Sequence, residues 1–225
     1  MPSSLGAQKP LTTWNHGKAH QYRAAHPGSS ECYHFLLDMS PSMLEQATAV
    51  RQAYNRCLHW LQRHSSPMSL GQVICFDDRP RLLPLQPLGI MRPLTEQDYD
   101  PRQADGTAIF EAMGLALTTC DTPGTHILVL MTDGEDCCRR DLWTLTRCHE
   151  VFATLQQERG WVGVGFFVDA AAQSLGMALG FPPDNCMLLA SDAIPAAFER
   201  FRQAMQRYLA APLADRKRLA AHLMA

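Results

Sequence analysis

The sequence predicts an α/β protein with a Rossmann-like, doubly wound and mostly parallel sheet, one antiparallel edge strand, and helices on both faces. Short continuous apolar runs, such as residues 33–38 and 126–133, are typical of strands that are buried on both faces. Segments with helical spacing of apolar residues alternate with these runs, which indicates right-handed strand–helix–strand crossovers. A chain of 225 residues is also long enough to bury one full hydrophobic core.

The first half of the chain contains four predicted elements. Residues 33–38 form a buried strand, residues 43–63 a helix with apolar residues on one face, and residues 70–76 a second strand. After a turn, residues 81–85 return as the second arm of a hairpin. Pro84 has no amide hydrogen to donate to a neighbouring strand, so this arm is predicted to lie at an edge of the sheet.

Strands and helices alternate again in the second half, after a long proline-rich loop over residues 86–106. Loops of this length are often functional. Helices are predicted over residues 107–119, 141–158, 170–180 and 193–209, and strands over residues 126–133, 161–169 and 185–191.

The predicted domain organisation has three parts. Residues 1–30 are rich in Pro, Ser, Gly, Gln and His and show no apolar period, so we expect a flexible N-terminal arm. Residues 31–210 are predicted to form the folded domain, and residues 211–225 a C-terminal tail or short helix.

Composition and charge exclude several classes of function. The formal net charge is −2 at pH 7, so no strong overall field draws the chain toward nucleic acid or a membrane. Residues 1–28 lack the apolar core of a secretory signal, and no apolar run approaches the length of a membrane span, which predicts a cytoplasmic protein. No disulfide framework is expected, because most cysteines lie in or beside apolar segments, where a thiol acts as a small hydrophobic group. These are Cys32, Cys57, Cys75, Cys120, Cys148 and Cys186.

Three oxygen-bearing side chains follow the first predicted strand at alternate positions. They are Asp38, Ser40 and Ser42, in the stretch DMSPS. Alternate residues of an extended segment project to the same side, so these side chains can point into one small space. Oxygen ligands of this kind suit a hard divalent cation such as Mg2+. The alternative is that Ser42 only caps the helix that follows.

Two further oxygen ligands are predicted at the same edge of the sheet. Thr107, in ADGTAIFEA, opens a helix after the long loop, and Asp133, in VLMTDGEDC, follows the buried strand 126–133. In open parallel sheets, ligands bind beyond the carboxyl ends of the strands, where the strand order reverses. We therefore expect a single site.

The motifs DMSPS, DGT and TDG, in this order, resemble the metal-ion-dependent adhesion site (MIDAS) of von Willebrand factor A domains, and the resemblance covers about residues 32–209. It implies Mg2+ or Mn2+ bound directly by Ser40 and Ser42, with Thr107 binding directly or through water. It also implies that Asp38 and Asp133 hold coordinated waters. An Asp or Glu of a partner protein would complete the coordination.

The resemblance also implies a cellular context, and two residues of this sequence differ from the family motif. The chain is similar to stand-alone intracellular bacterial members, several of which work beside ATPases or kinases in multi-protein systems. Loops 86–106 and 134–141 would provide selectivity. Pro41 stands where glycine is common and stiffens the loop. Asp105 also replaces a frequent glycine, and its carboxylate either raises metal affinity or occupies the place of the partner's acid.

Other chemistries have weaker support. Zinc sites favour spaced cysteine pairs in loops, whereas the only comparable group combines two adjacent cysteines with two helical residues, so core thiols and a surface histidine are favoured. These residues are Cys137, Cys138, Cys148 and His149. Neither a dinucleotide-binding fingerprint nor a phosphate-binding loop is present. A metal-dependent hydrolase would need a base near the serines, and the nearest histidine, His34, lies back along the strand. We predict a non-enzymatic protein, with a hydrolase or a scaffold with a vestigial site as alternatives.

Overall fold

The fold is described by a computed structural model that covers residues 31–119, 122, 124–134, 136–138, 142–190 and 192–225. The predicted N-terminal arm, residues 1–30, lies outside the described residues.

One sheet of six strands forms the centre of the described chain, in the order β3-β2-β1-β4-β5-β6. The strands are β1 (Glu31–Asp38), β2 (Leu70–Phe76), β3 (Pro80–Pro87), β4 (Thr125–Thr132), β5 (Val162–Phe167) and β6 (Cys186–Leu188). All neighbouring pairs are parallel except β2 and β3, which form an antiparallel pair at one edge. The predicted sheet is therefore confirmed, including its single antiparallel edge strand.

The described part of the chain contains six α-helices, which pack around this sheet. They are α1 (Ala47–His64), α2 (Ile109–Thr119), α3 (Leu145–Arg159), α4 (Ala170–Ala178), α5 (Ile194–Ala210) and α6 (Leu213–Ala221). None of the helices in the described part of the chain combines the length and apolar character that a bilayer-spanning helix needs. The division of the chain into arm, domain and tail stays a prediction.

Alternation of side chains along each strand produces a core on both faces of the sheet. On β1, Phe35 packs on the side of α1 and α5, where it meets Tyr54 and Phe201 edge to face. Leu36 points to the opposite side and joins the core that α2, α3 and α4 cover, which includes Phe152. Burial on both faces explains why the strands read as continuous apolar runs.

The strand order reverses between β1 and β4, which lie side by side at the centre of the sheet. Asp38 is the last residue of β1, and Asp133 directly follows β4. Both aspartates therefore lie at the switch point, where doubly wound folds bind ligands.

Two helices beside this switch point begin later than predicted. The helix predicted from residue 43 begins at Ala47, and residues 41–44 form a separate 3-10 turn with Pro41 at its start. Proline fits the first position of a helical turn because its amide has no hydrogen to leave unpaired. The helix predicted from residue 107 begins at Ile109, so Thr107 lies in the loop that precedes α2.

Candidate metal centre

Asp38 is fixed at the buried end of β1 through both carboxylate oxygens. Oδ1 accepts a hydrogen bond from the Ser40 amide at 2.7 Å, and Oδ2 accepts one from the Thr132 hydroxyl at 2.5 Å. The Tyr99 hydroxyl donates to the backbone carbonyl of Asp38. Asp38 and Thr132 are fully buried. The carboxylate therefore has one defined orientation.

Burial raises the pKa of Asp38 to about 6. Hydrogen bonds from Thr132 and Ser40 act in the opposite direction, and the nearby charge of Asp133 raises the pKa further. Among the described residues, neither aspartate forms an ion pair with a basic side chain. Within the part of the chain that the structure describes, no basic side chain balances the two carboxylates.

The two serines connect Asp38 to Asp133. The Ser40 and Ser42 hydroxyl oxygens lie 3.0 Å apart, and the Ser42 hydroxyl donates to Oδ1 of Asp133 at 2.8 Å. Ser40 is buried, Asp133 is half-buried and Ser42 is exposed, so the group runs from the interior to the surface. Ser42 makes no side-chain cap of the turn or of α1. The capping alternative is therefore wrong.

Thr107 is linked through its backbone to the loop that follows Asp133, and no hydrogen bond joins it directly to Asp38, Ser40, Ser42 or Asp133 among the described residues. Its amide donates to the Cys137 sulfur at 3.1 Å, and its carbonyl accepts from the Cys137 amide at 3.0 Å. One residue earlier in the same loop, a carboxylate oxygen of Asp136 accepts from the Phe110 amide at the start of α2, and burial raises the pKa of Asp136. The loop after Asp133 thus holds the Thr107 loop in place.

Glycine is required at position 106 for two reasons. Its φ is +105°, a region that side-chain-bearing residues rarely adopt, and an added Cβ would lie 3.0 Å from the Cys138 sulfur. Asp105, the residue before it, is exposed. This accounts for the glycine of the DGT motif.

Three residues that support the site were not predicted from the sequence. Thr132 and Tyr99 fix Asp38, and Asp136 caps α2. A hydroxyl in the otherwise apolar strand 126–133 was a usable signal for Thr132. Tyr99 and Asp136 reach the site through long-range contacts that no local pattern indicates.

A polar cavity of about 420 Å³ lies next to the candidate centre. Its lining includes Met39, which lies between Asp38 and Ser40, together with acidic, basic and amide side chains. The lining residues are Met39, Asp77, Arg81, Gln97, Asp100 and Gln103. Three of them belong to the predicted loop 86–106. An ion pair between Arg92 and Asp98, at 2.6 Å, stabilises the same loop.

No protein-family model matches the sequence, and no curated protein matches it. Solved structures do match. The pilus adhesin SpaC from Lactobacillus rhamnosus GG, in its open conformation, has a TM-score of 0.58 and 14% identity, and the match covers 79% of this chain and 30% of that chain. Proximal thread matrix protein 1 from the mussel byssus, with a zinc-occupied MIDAS motif, has a TM-score of 0.55 and 15% identity, over 76% of this chain and 46% of that chain.

A von Willebrand factor type A structure from Catenulispora acidiphila has a TM-score of 0.52 and 13% identity, and the match covers 78% of this chain and 42% of that chain. The chain spans less than half the length of each of these three proteins. At such low identities the likeness shows the fold, which is that of von Willebrand factor A domains.

Proposed function

We propose that this chain is a metal-dependent protein-interaction module that binds an acidic side chain of a partner protein. A divalent cation, Mg2+ or Mn2+, would be held by the hydroxyls of Ser40, Ser42 and Thr107 and by Asp38 and Asp133. The cation would act as a Lewis acid that accepts the partner's carboxylate. We further propose a non-enzymatic component of a bacterial, cytoplasmic multi-protein system, with an ATPase or kinase as a candidate partner.

The convergence of four predicted ligands is the observation that carries this proposal. Adjacent ligands of an octahedral Mg2+ at 2.0–2.1 Å lie about 3 Å from one another. The oxygens of Ser40 and Ser42 are 3.0 Å apart, and those of Ser42 and Asp133 are 2.8 Å apart. These residues also offer only oxygen donors, which suits a hard cation. The donor set therefore fits such an ion.

The charge of the site supports an external acid as the remaining ligand. Two of the five side chains are carboxylates, and the other three are neutral hydroxyls, so direct ligation by the hydroxyls leaves positive charge on the cation. Ser42 is exposed, which leaves that side of the site open to a partner. A carboxylate contact of this kind is charge-assisted and its loss is costly. The adjacent polar cavity would contribute selectivity.

The zinc-occupied MIDAS motif of the mussel protein supports a metal at this place in the fold. The hydrogen-bond partners of the serines favour binding over hydrolysis. The Ser42 hydroxyl donates to a carboxylate oxygen of Asp133, and among the described residues its other partner is the Ser40 hydroxyl. A nucleophilic serine needs an adjacent base such as histidine.

Affinity capture tests the proposed binding. The immobilised chain is expected to retain specific proteins from a cell lysate in Mg2+, to lose them in a chelator, and to regain them when Mg2+ is restored. Ser42→Ala should capture none of them, whereas Ser174→Ala, a change at an exposed hydroxyl on α4, should behave like the native chain. The proposal would be refuted if neither the chelator nor Ser42→Ala reduced the capture of these proteins. Ester hydrolysis that depends on the serines would favour the enzyme alternative.

A further inference from the structure

A second polar cluster lies inside the sheet, toward the amino ends of β1 and β4. Cys32 and His126 are register partners on these adjacent strands, and His34 lies two residues after Cys32 on the same face. Residues two apart on a strand share a face, so the three side chains converge. All three are fully buried, and their candidate ligand atoms lie within 4.8 Å of one another.

The two imidazoles form part of a directional hydrogen-bond chain. Nε2 of His126 lies 2.8 Å from the Thr122 carbonyl, which can only accept, so Nδ1 of His126 accepts. Nε2 of His34 lies 3.0 Å from that Nδ1 and donates to it. Nδ1 of His34 then accepts from the amide of Gln72, at 2.6 Å. With both rings in the neutral form, these contacts give each ring a defined tautomer.

The rings are also held in a common orientation. Their planes differ by 16° and their centroids are 5.3 Å apart, which places them edge to edge. The indole of Trp161 covers both, with centroid distances of 4.8 Å to His34 and 4.5 Å to His126. Two ring nitrogens therefore face each other in a closed space beside a thiol.

We infer that Cys32, His34 and His126 form a buried zinc site. One thiolate and two imidazole nitrogens are a donor set that zinc prefers over magnesium. Zinc binds histidine nitrogen at 2.0–2.1 Å, so two such ligands lie about 3.3 Å apart in tetrahedral geometry. The facing nitrogens are 3.0 Å apart, close to this separation, and each ring has to rotate so that both lone pairs point at the ion.

Zinc binding would move one proton between the nitrogens of His34 and release another proton from Cys32. Zinc takes the place of the proton between the two rings, and that proton moves to Nδ1 of His34, so His34 changes tautomer. The amide of Gln72 turns so that its oxygen accepts from the new N–H, which leaves Gln72 as a partner that orients the ligand. The thiol of Cys32 loses its proton to solvent. One proton is therefore released for each zinc bound.

This site is independent of the proposed adhesion metal. His34 lies four residues before Asp38 on β1, or about 13 Å at 3.3 Å per residue. One cluster offers sulfur and nitrogen and is closed to solvent, and the other offers oxygen and opens to the surface. Zinc at the buried cluster would stabilise the fold without touching a partner.

Cobalt titration of the full chain, in excess Mg2+ and without an affinity tag, tests the inference. Co2+ is a spectroscopic substitute for zinc, and a bound thiolate produces a charge-transfer band in the near ultraviolet that oxygen ligands do not. We expect this band at one cobalt per chain, displaced by one zinc. Cys32→Ser should abolish it, whereas Cys75→Ser, a change at a buried thiol on the opposite face of the sheet, should keep it.

In every protein used for the cobalt titration, Cys137, which is exposed, and the neighbouring Cys138 are replaced by serine. Cobalt bound by these surface thiols then does not contribute to the band. The inference is overturned if this background shows no band and no uptake of zinc, or if Cys32→Ser keeps the band. Zinc uptake by the otherwise native chain is measured in parallel, and its absence overturns the inference even where Cys32→Ser fails to fold. Ser40→Ala/Ser42→Ala should retain the band, which separates this result from the fate of the adhesion site.

Discussion

The two polar clusters of this protein occupy the same pair of central strands but differ in position and donor chemistry. Asp38 and Asp133 lie at and just beyond the carboxyl ends of β1 and β4, with serine hydroxyls between them. His34 and His126 lie within the sheet under the indole of Trp161. The first cluster is open to a partner molecule, and the second is not.

Location within the sheet decides what a polar group can do. At a strand end the backbone no longer pairs with a neighbour, so side chains and loops can rearrange around a ligand. Inside the sheet, most polar groups find their partners within the protein, and a polar group that loses its partner lowers the stability. We therefore expect changes in the buried cluster to alter stability, and changes at the open cluster to alter metal and partner binding.

The largest expected effect is that of His126→Ala. This change removes the hydrogen bonds that His126 makes with Nε2 of His34 and with the Thr122 carbonyl, and it opens a cavity under Trp161. We expect a loss of about 3 kcal/mol in the free energy of unfolding, measured by urea denaturation. Magnesium affinity of the folded fraction should be unchanged. A parallel loss of magnesium affinity would show that the two clusters are coupled and would break the comparison.

Thr132→Val is expected to affect both stability and metal binding. The substitution keeps the shape of the side chain but removes the hydroxyl that donates to Oδ2 of Asp38, which leaves a buried carboxylate oxygen unsatisfied. We expect a loss of about 2 kcal/mol in the free energy of unfolding and weaker binding of Mg2+ by calorimetry. Thr118→Val, a change at a hydroxyl that bonds within α2, is the matched control and should leave magnesium affinity intact.

A smaller, pH-dependent effect is expected from the loop beside the open cluster. The Arg92 guanidinium holds the pKa of Asp98 at about 2, below its ordinary value of 3.8. A lowered folded-state pKa contributes stability above about pH 4 that is lost as the pH falls toward 2. Because Arg92 is half exposed, the contribution is about 1 kcal/mol after solvent screening.

Asp98→Asn should therefore destabilise the protein at pH 7 by this amount, and the difference from the native chain should shrink between pH 4 and pH 2. Melting curves over this pH range measure it. A difference that stays constant with pH would mean that the ion pair is not the cause.

The sequence predicted the sheet and five site residues because both depend on local patterns. Alternate spacing after an apolar run identifies Asp38, Ser40 and Ser42, and strand ends identify Asp133. Tyr99 and Asp136 could not be found in this way, since their roles depend on contacts across 61 and 26 residues respectively.

The buried cluster was missed for a related reason. The sequence predicts that Cys32 acts as a small hydrophobic group, and it places His34 too far from the serines to act as their base. The hydrogen bond from His34 to His126 joins residues 92 positions apart. Only the strand order, which places β4 beside β1, brings them together. A histidine in an otherwise apolar strand was the one local signal.

Thermal melting in Mg2+ tests the proposal that the carboxyl edge of the sheet holds a divalent cation. A ligand that binds only the folded state raises its stability by about 2.7 kcal/mol at one hundred times its dissociation constant. We predict that Mg2+ raises the melting temperature of the native chain and leaves that of Ser40→Ala/Ser42→Ala unchanged. Equal responses of the two proteins, or no response of either, would contradict the account.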